Sequence, residues 1–282
     1  MQHMESGTGH AGAPENQTVK PVRRLTLCFD GTWNTVESRT NVSRLFEAIL
    51  DQGADGVEQL KFYDEGVGAA AEATTPWTKV KDALMGGIFG DGVQRNVLQA
   101  YCWLIDHYGD QDYTDDGRPE IFIFGFSRGA FTARLLAGLV GACGVLKKDA
   151  VLALKDQYPD KDHPARRVVW NNPVVQQAWS HYKPGRSAWR SLAWPGSATA
   201  QSVAKTFDDG RRPVPIKLLG VWDTVGKYGI PTWRWGNGFF KPICFSDYTI
   251  GRHVLHARHA MAIDEHRNDF NVRPWTRASV SW

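Results

Sequence analysis

The pentapeptide Gly125-Phe126-Ser127-Arg128-Gly129 constrains this chain more than any other stretch because of what flanks it. Before it lies the apolar run Ile121-Phe122-Ile123-Phe124, which starts behind the turn-forming cluster Asp115-Asp116-Gly117-Arg118-Pro119. A short apolar run bounded by turn signals reads as a buried strand, here Glu120 to Phe124. After it, Phe131, Leu135, Leu136 and Leu139 recur at helical spacing over Ala130 to Val140, and Ala130, Ala133 and Ala137 are small enough to pack closely on a sheet. GxSxG alone arises by chance in many sequences and can be a plain turn. Strand, tight turn and helix in this order form the layout that holds a serine hydroxyl out of the backbone, beside a base and near oxyanion donors. Ser127 is therefore a candidate covalent nucleophile.

The rest of the chain reads as strands alternating with helices. Leu25, Leu27 and Phe29 alternate in a first strand, Arg24 to Phe29, which stops at Asp30-Gly31-Thr32. Asn41 can cap a helix that carries Val42, Leu45, Phe46, Ile49 and Leu50 on one stripe. A second strand follows at about Gln59 to Tyr63, a helix at Val93 to Tyr108, and a late strand at Ile216 to Trp222, ending in Asp223-Thr224-Val225-Gly226. Helix candidates also lie at Asp149 to Gln157 and Pro173 to Tyr182, and a final helix is expected from about His253 to Glu265. This order predicts an α/β fold of three layers around a mainly parallel sheet, with binding at the strands' C-terminal ends. Residues 1–22 read as a disordered leader and 23–282 as one domain, in which the glycine-rich stretch at about 66–96 and the irregular stretch 147–212 are lid or cap insertions.

Composition narrows the class. A net charge of +3 on 282 residues gives no reason to expect nucleic acid. There is no run of 18 apolar residues and no signal-peptide core, which predicts a protein that is cytoplasmic in the producing cell. Cys28, Cys102, Cys143 and Cys244 form no CxxC pair and read as buried free thiols. No cluster of metal ligands is evident, and neither a metal nor a cofactor is expected. The 12 tryptophans exceed what one core needs. Packing under loops accounts for most of them, while the Trp189 to Trp194 and Trp233 to Phe240 stretches are candidates for a lipid-facing rim and peripheral membrane contact.

A serine nucleophile on this fold needs a carboxylate and a histidine, in the chain order Ser, acid, His. Asp223 stands at the tip of the Ile216 to Trp222 strand, where catalytic residues collect, although an Asx-turn would also explain an aspartate there. His253, His256, His259 and His266 are the late histidines; His259 is flanked by small residues, and His266 lies among charged ones. For the oxyanion, the backbone N–H of Arg128 follows the nucleophile, and Gly31 or Thr32 can supply a second donor from the loop after the first strand.

Four segments together resemble a known family: Phe29-Asp30-Gly31-Thr32-Trp33-Asn34, Gly125 to Ala130, Gly220-Val221-Trp222-Asp223-Thr224-Val225-Gly226, and Arg258-His259-Ala260-Met261-Ala262-Ile263-Asp264-Glu265. The set is similar to the α/β-hydrolase domain that forms the catalytic part of a group of type VI secretion phospholipase effectors. Tyr63 to Gly68 with Asn96 to Leu104 is a less specific fifth match, and the likeness spans about Arg23 to Phe270. The resemblance implies a serine hydrolase that cleaves carboxylic esters through an acyl-enzyme, with Ser127, Asp223 and His259 as its triad. It implies an ester or phospholipid substrate, export without a signal peptide, and a secretion-machinery or immunity-protein partner. Effectors of the family tend to be longer, with additional membrane-docking regions.

Three rivals remain. A soluble esterase with no membrane role has the same motifs, and a non-catalytic hydrolase-like binding module has the same shape. Phe29-Asp30-Gly31-Thr32 also looks like the start of an aspartyl-phosphate phosphatase, but Cys28 stands where that chemistry needs a carboxylate. Gly86-Gly87-Ile88-Phe89-Gly90-Asp91-Gly92 lacks a Walker lysine and does not follow a strand directly, which argues against nucleotide binding.

Overall fold

The structure is a computed structural model that describes residues 21–31, 34, 36–65, 88–109, 117–153, 168–182, 207–208, 212–224, 250–264 and 275. Its centre is a sheet in the order β2-β1-β3-β6-β7, formed by β1 (Arg24–Phe29), β2 (Gln59–Asp64), β3 (Glu120–Phe126), β6 (Ile216–Trp222) and β7 (Val254–Ala260). All four pairings are parallel. A two-residue ribbon, β4 (Phe207–Asp208) with β5 (Arg212–Pro213), lies apart from it. The helices are α1 (Asn41–Ala48), α2 (Ile88–Tyr108), α3 (Arg128–Cys143), α4 (Lys148–Ala153) and α5 (Pro173–Tyr182).

Right-handed crossovers fix the layers. The step from β1 through α1 to β2 runs one way along the sheet; the step from β2 through α2 to β3 runs back across β1. That reversal puts α1 on one face and α2 on the other, and α3 packs beside α2. It also makes the gap between the C-terminal tips of β1 and β3 a topological switch point, where α/β sheets bind their ligands. Phe29 pairs with Gly125, so Asp30 and the Ser127 turn share that gap.

The core explains why these runs became strands. Leu25, Leu27, Ile121 and Ile123 are fully buried at the middle of the sheet, and Leu98, Tyr101, Leu135 and Leu136 cover them from α2 and α3. Tyr101 can be buried because its hydroxyl donates to Gly144 O at 2.8 Å. Val174, Val175 and Ala178 of α5 join the same core, as does Val151 of α4. The expected insert at 66–96 divides: residues 88–96 begin α2, and 66–87 lie outside the described residues. Cys28, Cys102 and Cys143 are buried free thiols; burial pushes Cys28 and Cys143 up to about 12, and Cys102 also rises. Cys244, residues 1–20 of the expected leader, and the Trp189 to Trp194 and Trp233 to Phe240 stretches lie outside the described residues. No helix among the described residues is long and apolar enough to cross a membrane.

Two expectations are corrected. The cap of α1 is Thr40, not Asn41: the Thr40 hydroxyl accepts the Ser43 N–H at 3.0 Å. The segment around His259 is not a helix but the edge strand β7, paired residue by residue with β6. Its side chains are mostly exposed or half-buried, so it lacks the apolar run that announces a central strand, and pairing with β6 decides its conformation.

Candidate active site

β3 delivers Ser127 into a sharp turn. The residue has φ 54° and ψ −116°, a positive φ that a non-glycine residue adopts only at a cost of about 1–3 kcal/mol. Its neighbours make the turn possible. A Cβ at Gly125 would lie 2.5 Å from Gly129 O and 2.7 Å from Ala130 Cα, and one at Gly129 would run into the Phe29 and Asp30 carbonyl oxygens. Only glycine lets α3 start this close to both strands. The Ser127 N–H donates to Trp222 O at 2.9 Å, tying the turn to the tip of β6.

Ser127 is also the N-cap of α3, yet its side chain makes no capping hydrogen bond. The hydroxyl is thus not spent on the helix, as a capping serine's usually is. The first N–H groups and the dipole of a 16-residue helix converge there, a setting that favours developing negative charge on oxygen. Arg128, the candidate oxyanion donor that follows the nucleophile, is the first residue of α3.

The other candidate donor is differently placed. Gly31 N–H donates to Asp30 Oδ1 at 2.7 Å, and Gly31 O accepts from Asn34 N–H at 3.0 Å. Thr32 lies outside the described residues. Asp30 itself is 2% exposed, and its Oδ2 also accepts from Thr40 Oγ1 at 2.6 Å and Tyr63 Oη at 2.7 Å. Beside it, burial pushes the Asp64 carboxyl up to about 7, although Asn96 Nδ2 donates to it at 2.8 Å and opposes the rise. None of this buried network follows from local sequence pattern, because the partners of Asp30 come from 10 and 33 residues away.

Asp223 and His259 meet at the tips of β6 and β7. Asp223 has φ 43°; its N–H donates to Ala260 O at 3.0 Å, and its Oδ1 accepts the Ala262 N–H at 2.5 Å. His259 stands opposite Val221 in the register. Its Nε2 accepts from Thr224 N–H at 3.4 Å, a long bond, while Nδ1 is buried with no hydrogen-bond partner among the described residues. The ring packs edge-on against Trp275 at 5.3 Å, and the Arg134 guanidinium lies over the same indole at 5.1 Å. Burial first, and then the Arg134 charge, lower the His259 pKa below the ordinary imidazole value, while Asp223 pulls it back up. The neutral base form is favoured.

The three triad candidates therefore gather at the same edge of the sheet, but among the described residues no hydrogen bond joins any two of them. Adjacent strands are about 4.8 Å apart, so the tips of β3 and β7, with β6 between, are about 10 Å apart. Of the other histidines, His253 donates from Nε2 to Ala137 O at 2.8 Å and braces α3, His256 is exposed on β7, and His266 lies outside the described residues. Sequence reasoning missed Arg134; its one signal was a charged residue on an otherwise apolar helix face.

Residues 23–281 match the family described as "T6SS, Phospholipase effector Tle1-like, catalytic domain". A curated relative, the "Uncharacterized protein YEL023C" of Saccharomyces cerevisiae (strain ATCC 204508 / S288c), is 26% identical over 261 residues, 88% of this chain and 32% of that protein. Among solved structures, the Tle1 effector bound to the VgrG spike from the Type 6 secretion system aligns at 16% identity and TM-score 0.37, over 96% of this chain and 53% of the other. An uncharacterized protein from Pseudomonas aeruginosa aligns at 16% identity and TM-score 0.38, over 91% and 37%. The chain thus spans about a third of the yeast relative and about half of the first solved chain.

Proposed function

The chain belongs to the family of Tle1-like type VI secretion phospholipase effector catalytic domains, and on that premise we propose that it is a serine hydrolase cleaving carboxylic esters of the lipase or phospholipase type. The observation that carries the reading is Ser127: a strained turn at the switch point, at a helix N-terminus, with its hydroxyl uncommitted to the cap.

In this mechanism Ser127 Oγ attacks the ester carbonyl carbon while His259 takes the hydroxyl proton. The tetrahedral oxyanion is held by the Arg128 N–H, aided by the α3 dipole; Thr32 is the second candidate donor, because the Gly31 N–H is taken by Asp30. Collapse expels the alcohol, which takes the proton from His259 and leaves an acyl-Ser127; a water activated by the same imidazole releases the acid. Asp223 stabilises the imidazolium that forms in each half. For this the His259 ring must leave Thr224 and close on Ser127. Phospholipid is the favoured substrate class, contacted from a membrane surface by the tryptophan-rich stretches, and export by a secretion machinery, with an immunity protein as a further partner, completes the reading.

The deciding experiment is ester and phospholipid profiling of the protein beside Ser127→Ala. Turnover should fall about 10⁴- to 10⁶-fold with the fold intact. Unchanged turnover would defeat the proposal. The unjoined triad favours one rival, a non-catalytic module of the same shape. A fluorophosphonate probe separates the two: labelling of Ser127 marks an activated serine, and none over a wide pH range favours the module.

A further inference from the structure

We propose that Asp30 is a positioning residue for the reaction: its buried carboxylate fixes the Asp30-Gly31 turn, against which the Ser127 elbow and the first turn of α3, with the Arg128 N–H, are seated. The inference rests on the serine-hydrolase reading and deepens it.

Burying a carboxylate is costly unless hydrogen bonds satisfy it, and Asp30 has three short ones from three different parts of the fold. Gly31 N–H belongs to the loop that follows β1. Thr40 Oγ1 belongs to the cap of α1, where the same oxygen accepts the Ser43 N–H at 3.0 Å. Tyr63 Oη belongs to the end of β2, with its ring packed against Phe46 at 5.1 Å. Burial and the Asp30 charge raise the Tyr63 pKa, which keeps this phenol protonated and donating.

The main chain of Asp30 is gripped as well. Its N–H donates to Asp64 O at 3.0 Å, and its carbonyl oxygen lies against Gly129, where a Cβ would collide with it. The first turn of α3 therefore rests on the Asp30 peptide. One residue on, Gly31 faces the Phe126 ring of the elbow strand: a Cβ there would lie 2.9 Å from the ring. Any shift of Asp30 is passed to the loop and to the elbow together.

The carboxylate itself does no acid–base work in this scheme. Both Oδ2 donors lie on the α1 and β2 side, so its charge is bound there. A negative charge facing the oxyanion would oppose it. Asp30 acts through the elbow that rests on it, and its loss should weaken binding of the transition state more than binding of the substrate.

The test compares wild type, Asp30→Ala, Asp30→Asn and Tyr63→Phe, each checked for folding by thermal unfolding, with Ser127→Ala as the reference. Misplacing one oxyanion donor costs about 100-fold or more, so Asp30→Ala should lose about that in kcat with KM changed less than about threefold. Asp30→Asn, whose carbonyl can still accept the Gly31 N–H, should recover to within about tenfold of wild type, and Tyr63→Phe should lose less than Asp30→Ala. Affinity for a trifluoromethyl ketone, which forms the tetrahedral adduct, should fall along with kcat/KM. Affinity for a non-hydrolysable ether analogue should not.

A folded Asp30→Ala with wild-type kcat, beside an inactive Ser127→Ala, overturns the positioning role and leaves the serine reading standing. So does an equal loss of affinity for both analogues. An active Ser127→Ala overturns the serine reading and the positioning role with it. Should Asp30→Ala fail to fold, Tyr63→Phe and Thr40→Val perturb the same carboxylate more gently, and the same split between the two analogues decides.

Discussion

At the tips of β1 and β3, the Asp30 carboxylate is 2% exposed and takes three donors at 2.6 to 2.7 Å; at the tips of β6 and β7, His259 Nε2 takes one at 3.4 Å and its Nδ1 takes none among the described residues. Both regions stand at the same edge of one sheet. The first is held by elements on several sides, because β1 and β3 are interior strands. The second ends in β7, which among the described residues pairs with β6 alone. On the proposed serine-hydrolase reading, preorganisation falls on the nucleophile side, where a fixed geometry is worth most, while the base side is the less constrained of the two.

The largest test of this contrast is the nucleophile itself. Ser127→Ala should abolish fluorophosphonate labelling as well as turnover, since both need the same oxygen. Next, Asp223→Asn keeps an oxygen that can accept the Ala262 N–H while removing the charge. Kinetics should show about a 10⁴-fold loss if Asp223 orients and balances His259. A loss below about tenfold would make it a brace for the turn after β7 and nothing more.

Gly129→Ala probes the tight side. Its methyl meets the Phe29 and Asp30 carbonyls, and backbone cannot yield as a flexible side chain does. A stability loss of about 3 kcal/mol is expected by denaturant titration, together with slower labelling of Ser127.

Two smaller effects concern protons. The lowered His259 pKa means that kcat/KM should persist below the ordinary imidazole value of 6.5 before acid abolishes it. The same group binds its proton less readily in the folded state. It therefore contributes stability above about 6.5 that is lost as pH falls through the folded value. Asp64 runs the other way: with a folded value of about 7 against 3.8, the native state holds the proton more tightly, so stability falls as pH rises between them. Asp64→Asn should flatten that slope, reducing the loss between pH 5 and pH 7 by roughly 1–2 kcal/mol in thermal or urea unfolding.

The interior of the sheet was legible in the sequence because burial leaves a local mark. β1, β6 and α5 fall on their expected residues, and β3 and α3 extend the expected ones by two or three at their ends. β7 was not legible. Leu255, His256, Arg258 and Ala260 are exposed on an edge strand, and a segment of Leu, Ala, Met and Glu has no local reason to avoid a helix. What decides it is Val221 opposite His259, more than 30 residues away in sequence. The candidate site divides similarly. Ser127 was readable because strand, turn and helix are consecutive; Asp30 was readable only as part of a turn, since nothing near it in the chain announces Thr40 and Tyr63.

The two glycines of the elbow have a consequence for how this chain can drift. Every other residue reachable from a glycine codon by one base change, short of a stop, brings a Cβ, and at positions 125 and 129 that atom lands on backbone. At neither site does a missense change escape that clash. Lineages that change the chemistry at this corner of the sheet must do so at Phe126, Ser127 or Arg128, or in the surrounding loops, while the two flanking positions stand still.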